Sequence, residues 1–442
     1  MVNLPRKARK HLSADALIRC VREGFQHVRD GRDRKATISL ADALMSGFAL
    51  FSLKDPSLLA FDKRRNDQNL KNLYGIGQVP SDTGMREILD EVPPDDLHPI
   101  FLDLFRHAQR GKALESMAFV NGYYVMAMDG TGYFSSHTIH CESCLRSVDR
   151  SGQTKYSHQM VSAAIVHPES KAVLPLGSEP IINSDGSKKN DCERNAGKRL
   201  LRRIRQQHPR LPILVVEDGL ASNAPHIREL QSLNMRFLLG CKPGDHDFLY
   251  QKLIEAYDEE GRVRNVEWSD NKQQKHIITW VKGLPLNESN SDLLVNFLQY
   301  TVHDTEGEVV QVFSWVTDLD ITRGNAPLLV RAGRARWKIE NETFNTLKNQ
   351  GYQFEHNFGH GQKHLSVVFA LLMMLAFFVD QLQQLCCGLF QQVWAKLGSK
   401  RLLWDNLRSH FRHFVFESFE QLYHVILYDL AKELPAPRLN TS

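Results

Sequence analysis

The sequence predicts an α/β core interrupted by a mostly β insertion, preceded by a helical domain and followed by a helical C-terminal part. Three observations carry that prediction. Two short apolar runs, Tyr123 to Met128 and Pro212 to Val216, lead into an acid and a glycine, as buried strands do where they break at a turn. Helical patterns over 191–207 and 224–233 alternate with strands, the arrangement of a layered α/β domain. Between Pro243 and Asp320, β-rich runs then follow one another across polar turns.

At 442 residues the chain exceeds one ordinary core, and ~100 to 200 residues per domain implies two to four units. The boundaries read as 1–115, helical and suited to DNA binding or to packing; 116–242, the first part of the core; 243–322, the β insertion; 323–390, completion of the core; and 391–442, a helical tail. A hydrophobic share of 42% against 24% charged residues gives material for a sizeable buried core. The net charge of +4 is small, but it is unevenly spread. Residues 1–35 hold ten Lys or Arg against four acids, and residues 188–206 hold eight against two. Such surfaces suit a polyanion, although a solvated face has the same composition. Seven cysteines, an odd number, do not form a disulfide framework and point to a reducing, cytoplasmic location. The start Met1-Val2-Asn3-Leu4-Pro5-Arg6 has no secretory pattern. The most apolar run, Val367 to Val379, is thirteen residues, short of the ~20 that cross a bilayer, so it reads as a buried helix and no membrane is expected.

Taken in order, the N-terminal part shows helical apolar spacing at Leu40, Leu44, Phe48 and Phe51 and again over 97–105. Pro80-Ser81-Asp82-Thr83 precedes Met85-Arg86-Glu87-Ile88-Leu89 as a cap precedes a helix. Strands are expected over 123–128, 158–166 and 171–182, then a basic helix over 191–207, a strand over 212–216, a helix over 224–233 and a strand over 235–241. Asp129 and Asp218 fall at the carboxyl ends of their strands, where open α/β sheets gather reactive groups. The insertion reads as strands over 262–268, 276–281, 293–302 and 309–316. Pro435-Ala436-Pro437 and the polar end beyond it read as frayed.

The segment Arg334 to Lys348 reads as one cationic amphipathic helix. At about 100° per residue Glu340 shares its face with Trp337, Phe344 and Leu347, while Lys338, Glu342, Asn345 and Asn349 lie opposite. Glu340 is therefore aimed inward and Glu342 outward, where Lys338 can pair with it. An acid turned into a protein needs a cation, which either Arg336 one turn earlier or a bound metal ion can provide. A purely structural Arg336–Glu340 pair fits the same pattern. Three carboxylates from two strand ends and a helix, Asp129, Asp218 and Glu340, form a hard oxygen donor set of the kind that binds Mg²⁺ for phosphodiester chemistry.

Met128-Asp129-Gly130-Thr131, Val216-Glu217-Asp218-Gly219 and Arg336-Trp337-Lys338-Ile339-Glu340-Asn341 resemble the three acidic motifs of bacterial insertion-sequence transposases of the DDE type. The resemblance covers about residues 120–380, and its most specific part is the Arg-Trp-x-Ile-Glu motif. It implies a ribonuclease-H-like core with a β insertion, and Asp129, Asp218 and Glu340 as ligands of Mg²⁺, for which Mn²⁺ can substitute. It further implies water and then a freed 3′-hydroxyl as nucleophiles, double-stranded DNA of the element ends and target as partner, and a homodimer on DNA in a bacterial, nucleoid-associated setting. Relatives carry a Tyr, Arg, Glu, Lys signature. Arg336 and Glu340 match it, Gly333 stands at the Tyr position, and Lys348 falls one residue late. The resemblance thus makes Arg336 a phosphate contact, with Lys348 and the neighbouring Arg334 as further DNA contacts. It also offers Phe313 and Trp315 of the insertion as aromatics able to stack on a flipped base, while the absent Tyr sets excision through a hairpin in question.

Cys141 and Cys144 form a Cys-x-x-Cys pair that can share Zn²⁺, with Cys192 and either His140 or His158 completing four ligands; ordinary reduced thiols are the other reading. His356, His360 and His364 recur every four residues, but Gly359 and Gly361 oppose a continuous helix, so they read as phosphate contacts or solvated side chains. The expected activity is metal-dependent cleavage and strand transfer at the ends of a mobile element. The alternatives are a DNA-binding protein derived from such an enzyme and a related nuclease without strand transfer.

Overall fold

The computed structural model describes residues 11–32, 36–186 and 189–429; residues 1–10 and 33–35 of the first basic run, Lys188 of the second, and the Pro435-Ala436-Pro437 end lie outside them. Ten strands form one mixed sheet among these residues. They are β1 (Tyr124–Ser136), β2 (Leu145–Val148), β3 (Thr154–Ile165), β4 (Leu174–Ile181), β5 (Ile213–Glu217), β6 (Arg236–Gly240), β7 (Arg264–Ser269), β8 (Lys275–Asn287), β9 (Asn290–His303) and β10 (Val309–Thr317).

The α/β core is the half of the sheet built on β1. Its direct neighbour β3 runs antiparallel to it, and β4 and β2 both pair with β3, one along each half of that strand. On the other side β5 and then β6 run parallel to β1. The parallel connection needs a crossover, which the helix Lys189–Gln207 makes. Its Leu200, Leu201 and Ile204 are fully buried. β1 is longer than its apolar run indicated. It continues through Asp129, which faces Ser162 on β3, as far as Ser136, because the partner strand extends equally far and supplies the backbone hydrogen bonds.

The insertion opens with a helix, Asp247–Tyr257, and then contributes β7 to β10. Its last strand returns beside β6, with Val316 opposite Leu239, so that the insertion extends the core sheet edge to edge. Helices close both ends. Ser81 caps Asp82–Asp90 by accepting from the Gly84 amide at 3.2 Å. The apolar run near the C-terminus becomes a 22-residue helix, Leu365–Cys386, the one described helix long and apolar enough to cross a membrane; 94% of its most apolar window is buried inside the protein. It packs on Leu40–Ser52, which joins the helices from the two ends of the chain into one body. Its three buried polar side chains are all partnered: Asp380 by Lys54 and Tyr352, Gln381 by the Val173 amide (3.0 Å) and Gln383 by the Tyr423 hydroxyl (2.6 Å).

Candidate active site

Asp129 and Asp218 stand at the same level on adjacent parallel strands. Ala127 pairs with Val216, an offset of 216 − 127 = 89, and the acids keep it, since 218 − 129 = 89. Asp218 turns out of β5 and caps the following turn, accepting from the Leu220 amide at 3.0 Å. Asp129 accepts from the Gly130 amide at 2.9 Å and from Arg336 at 3.3 Å. The same Arg336 nitrogen donates to Glu340 at 2.9 Å. Arg336 therefore bridges the acid of β1 and the acid of the later helical segment, the inward pairing that the spacing suggested.

Burial first, and then the adjoining Glu340 carboxylate, raise the Asp129 carboxyl to about 7 against the lowering effect of Arg336. Two carboxylates sharing one guanidinium are short of positive charge, and both offer hard oxygen donors. That donor chemistry fits a divalent cation. Asp129 and Asp218 also line one cavity of about 50 Å³, room for waters or ions and not for a nucleotide, together with Met128, Glu193, Glu217 and His226. His226 and Glu217 form a buried pair at 2.7 Å; Glu217 outweighs the effect of burial and keeps the imidazole proton-bearing above its usual range.

The segment carrying Glu340 is not one uniform helix. Ala326–Arg334 ends, Lys338 and Ile339 make tight bonds back to Ala335 and Arg336 (3.0 and 3.1 Å), and Ile339–Phe344 is a π-helical turn before Asn345–Asn349. Each change of winding shifts the phase, which explains a correction. Phe344 and Leu347 are buried, but Trp337, expected beside them, is 49% exposed, its indole under the Arg336 guanidinium at 4.7 Å. Lys338 donates to the Ser170 carbonyl (2.7 Å), with Glu342 half-buried nearby.

The chain matches the family described as Transposase DDE domain over residues 122–378, more than half its length. The chain belongs to the DDE transposase family. A search of curated protein sequences gives no match. Among solved structures, a cryo-EM structure of a piggyBac transposase synaptic complex with hairpin DNA aligns with a TM-score of 0.42 and 8% identity, covering 98% of this chain and 85% of that one.

The residues of this transposase expected to touch DNA have different surroundings. Lys348 pairs with Glu355 at 2.8 Å and lines a groove whose other wall is Gly132 to Ser136 of β1. Arg334 is exposed and lies over Phe313 (5.4 Å) and Tyr300 (5.8 Å). Phe313 is half-buried, whereas Trp315 is 5% exposed, its indole packed onto Gly333, and so presents no open face to a base. Both belong to a row of Trp268, His276, Tyr300, Phe313 and Trp315 across β7 to β10, successive ring centres 5.2 to 6.5 Å apart and planes within 16°. Alternate positions facing one side of the strands were the available sign of that row.

The basic helix Lys189–Gln207 is less available than its composition suggested. Arg199 engages Glu179 and Asp185, Arg202 engages Glu229, Arg203 engages Asp95 and Glu179, and Arg205 donates to four backbone carbonyls. The Cys/His expectation also changes. Cys141 and Cys144 do come together, but His158 and His360 join them. His140 instead stacks on Tyr156, and the Cys192 thiol donates to the Gly186 carbonyl at 3.2 Å. Glu193 and His226 had no motif to announce them, Glu217 stood in the sequence only as the neighbour of Asp218, and His360, read as a phosphate contact or a solvated side chain, is instead buried beside the two thiols.

Proposed function

We propose that this transposase cleaves DNA at the ends of its own mobile element and joins the freed ends to target DNA, with Asp129, Asp218 and Glu340 as the metal-holding acids. The observation that carries this reading is the Arg336 bridge between Asp129 and Glu340, on the strand edge that also carries Asp218 in register. Bound there, divalent cations, Mg²⁺ or in its place Mn²⁺, supply the positive charge that activates an attacking oxygen and stabilises the leaving one.

The chain's own residues do the remaining work. Asp129 and Glu340 hold their oxygens together through Arg336, and the deprotonated pair is the form that binds cations. Arg336, released from the acids as they take cations, can turn its forked donors to the phosphate backbone. Arg334, Lys348 and the exposed Trp337 extend the contact along the duplex. Phe313, at the half-buried part of the aromatic row, is the better candidate for stacking on an unpaired base, a contact of ~1 to 3 kcal/mol. In the first step water attacks the phosphorus at the element end and the 3′-oxygen leaves. In the second, that 3′-hydroxyl attacks a target phosphodiester and displaces its 3′-oxygen. Two copies of the chain, one on each element end, give the coupled reaction its geometry, and the helices described between Ala14 and Arg110 supply a surface for the DNA.

The test is Mg²⁺-dependent cleavage and joining on duplexes carrying the element's flanking ends, with the natural protein, Glu340→Gln and Glu342→Gln. Loss of both activities in Glu340→Gln alone, with DNA binding retained, is the expected result. Loss in Glu342→Gln instead would overturn the assignment of Glu340. Binding without cleavage by the natural protein would favour the derived binding protein, and cleavage without joining the simple nuclease.

A further inference from the structure

Four side chains from three separate parts of the chain meet away from the acids. Cys141 and Cys144 come from the loop between β1 and β2, His158 from β3, and His360 from the irregular segment before Leu365–Cys386. All four are buried, at 8% exposure or less. Their ligand atoms all lie within 4.8 Å of one another, and among the described residues this is the one set of three or more that does so.

The distances discriminate between a packed cluster and a coordination shell. A tetrahedral Zn²⁺ with bonds of ~2.3 Å to sulfur and ~2.0 Å to nitrogen requires edges of ~3.8 Å between sulfurs, ~3.5 Å from sulfur to nitrogen and ~3.3 Å between nitrogens. The structure has 3.9 Å between the Cys141 and Cys144 sulfurs. The sulfur to nitrogen edges are 3.6 Å (Cys141 to His158), 3.4 Å (Cys144 to His158) and 3.3 Å (Cys144 to His360). The two Nε2 atoms are 3.1 Å apart. A disulfide is ruled out at this sulfur separation, since the bond is about 2.05 Å. Two thiols and two imidazoles cannot satisfy such close mutual contacts by hydrogen bonding, because two neutral Nε2 atoms at that distance share at most one proton.

The surroundings are those of a closed structural site. His360 turns its Nδ1–H to the Gly361 carbonyl at 2.8 Å, which leaves Nε2 as the acceptor facing the sulfurs. Tyr133 stacks on His158, and Phe134 lies against both imidazoles. No open position for a substrate remains, which separates this site from a catalytic one.

We propose that Cys141, Cys144, His158 and His360 bind one structural Zn²⁺, tying the β1–β2 loop and β3 to the chain that follows the Glu340 segment. The site sits behind the groove that Lys348, Glu355 and Asn357 share with Gly132 to Ser136. It fixes one wall of that groove to the other. Asp129 and Asp218 keep their positions through the sheet and Glu340 through Arg336, so the zinc acts on the geometry of the groove and takes no part in the chemistry.

The full-length protein, purified without chelator and with reduced thiols, is assayed for zinc by elemental analysis, alongside Cys144→Ser, His360→Ala, Cys192→Ser and His140→Ala. One zinc per chain is expected in the natural protein, Cys192→Ser and His140→Ala, and a loss of most of it in Cys144→Ser and His360→Ala. Because the latter two variants can fail for want of folding, the natural protein is also stripped with a thiol-blocking mercurial and reloaded with Co²⁺ after the mercurial is removed. A tetrahedral spectrum with thiolate charge-transfer bands, together with slower proteolysis of the loop 137–144 on reloading, is expected. Substoichiometric zinc in the natural protein, zinc lost in Cys192→Ser but kept in His360→Ala, or a spectrum without thiolate bands would each overturn the proposal.

Discussion

Gly333 and Trp315 are fitted to each other: a β-carbon at position 333 would lie 2.5 Å from the Trp315 ring, closer than real carbons approach. The indole fills the space a larger residue would need, so the position where relatives place a Tyr is here occupied by a neighbour's ring. Gly333→Ala is expected to destabilise the protein by about 1 to 3 kcal/mol, the usual cost of overpacking. Trp315→Phe should relieve part of that cost when combined with Gly333→Ala, because the indole atoms in the clash are absent from phenylalanine. Denaturant unfolding of the two single variants and the double variant measures the coupling, and strict additivity would refute the contact.

The Asp129 carboxyl makes stability pH-dependent in a direction unusual for an acid. Its folded value of about 7 lies above the ordinary 3.8, so between those values the folded protein holds a proton that the unfolded chain has released. Metal-free stability from this group is therefore full at the acid end and is lost as pH rises through 7, by on the order of a few kcal/mol. Asp129→Asn should flatten that slope, and Mg²⁺ should lift the natural protein's melting temperature most at pH 8. Thermal melts at pH 5 to 8 with EDTA or Mg²⁺ test it, and equal slopes in the natural protein and the variant would refute it.

What could be read from the sequence follows what each signal depends on. The strands β5 and β6, the long buried helix and the two aspartates were legible because apolar period and an acid-glycine ending are local properties of the chain. The full length of β1 was not, since it is set by pairing with β3 rather than by the residues of β1 alone. The outward turn of Trp337 was missed because a π-helical turn has no pattern at 100° per residue. Of the two histidines beside Cys141 and Cys144, His158 was one of the two that the local sequence offered, whereas His360 lies 216 residues from Cys144, so only the folded topology could bring it there. The basic helix was over-read for a related reason: its arginines face acids contributed by other elements.

Two buried histidines predict acid lability. Burial pushes His98 down to about 3, aided by Arg203, and His208 down to about 4, aided by Arg106 and Arg205. Both fall below the ordinary 6.5, so the unfolded chain takes up protons first. Stability is complete above pH 6.5 and declines as pH falls toward 4. His98 and His208 flank the packing of His98–Arg110 against the crossover helix, where His208 meets Phe105 at 4.3 Å. Replacing both with Gln should lessen the loss of melting temperature between pH 6.5 and 4.5, at some cost in stability at pH 8. An unchanged pH slope in the double variant would refute the role.

The ion pair between Lys54 and Asp380 predicts a strong asymmetry between single and double substitution. Lys54 is fully buried, its ammonium on Asp380 and over the rings of Trp404 (3.9 Å) and Tyr352 (4.5 Å), and burial pulls its pKa down against the pull of Asp380. Asp380 also accepts from the Tyr352 hydroxyl at 2.5 Å. The pair joins the end of Leu40–Ser52 to the buried helix Leu365–Cys386, the contact that unites the two ends of the chain. Lys54→Met leaves an uncompensated carboxylate inside the protein and is expected to cost about 3 to 5 kcal/mol. Lys54→Met with Asp380→Leu removes both charges and leaves one phenol to find a new partner, so it should be less destabilised than Lys54→Met alone. Chemical unfolding of these variants, with Asp380→Leu completing the cycle, gives the coupling; a double variant as unstable as the sum of the two singles would show that the charges do not depend on each other.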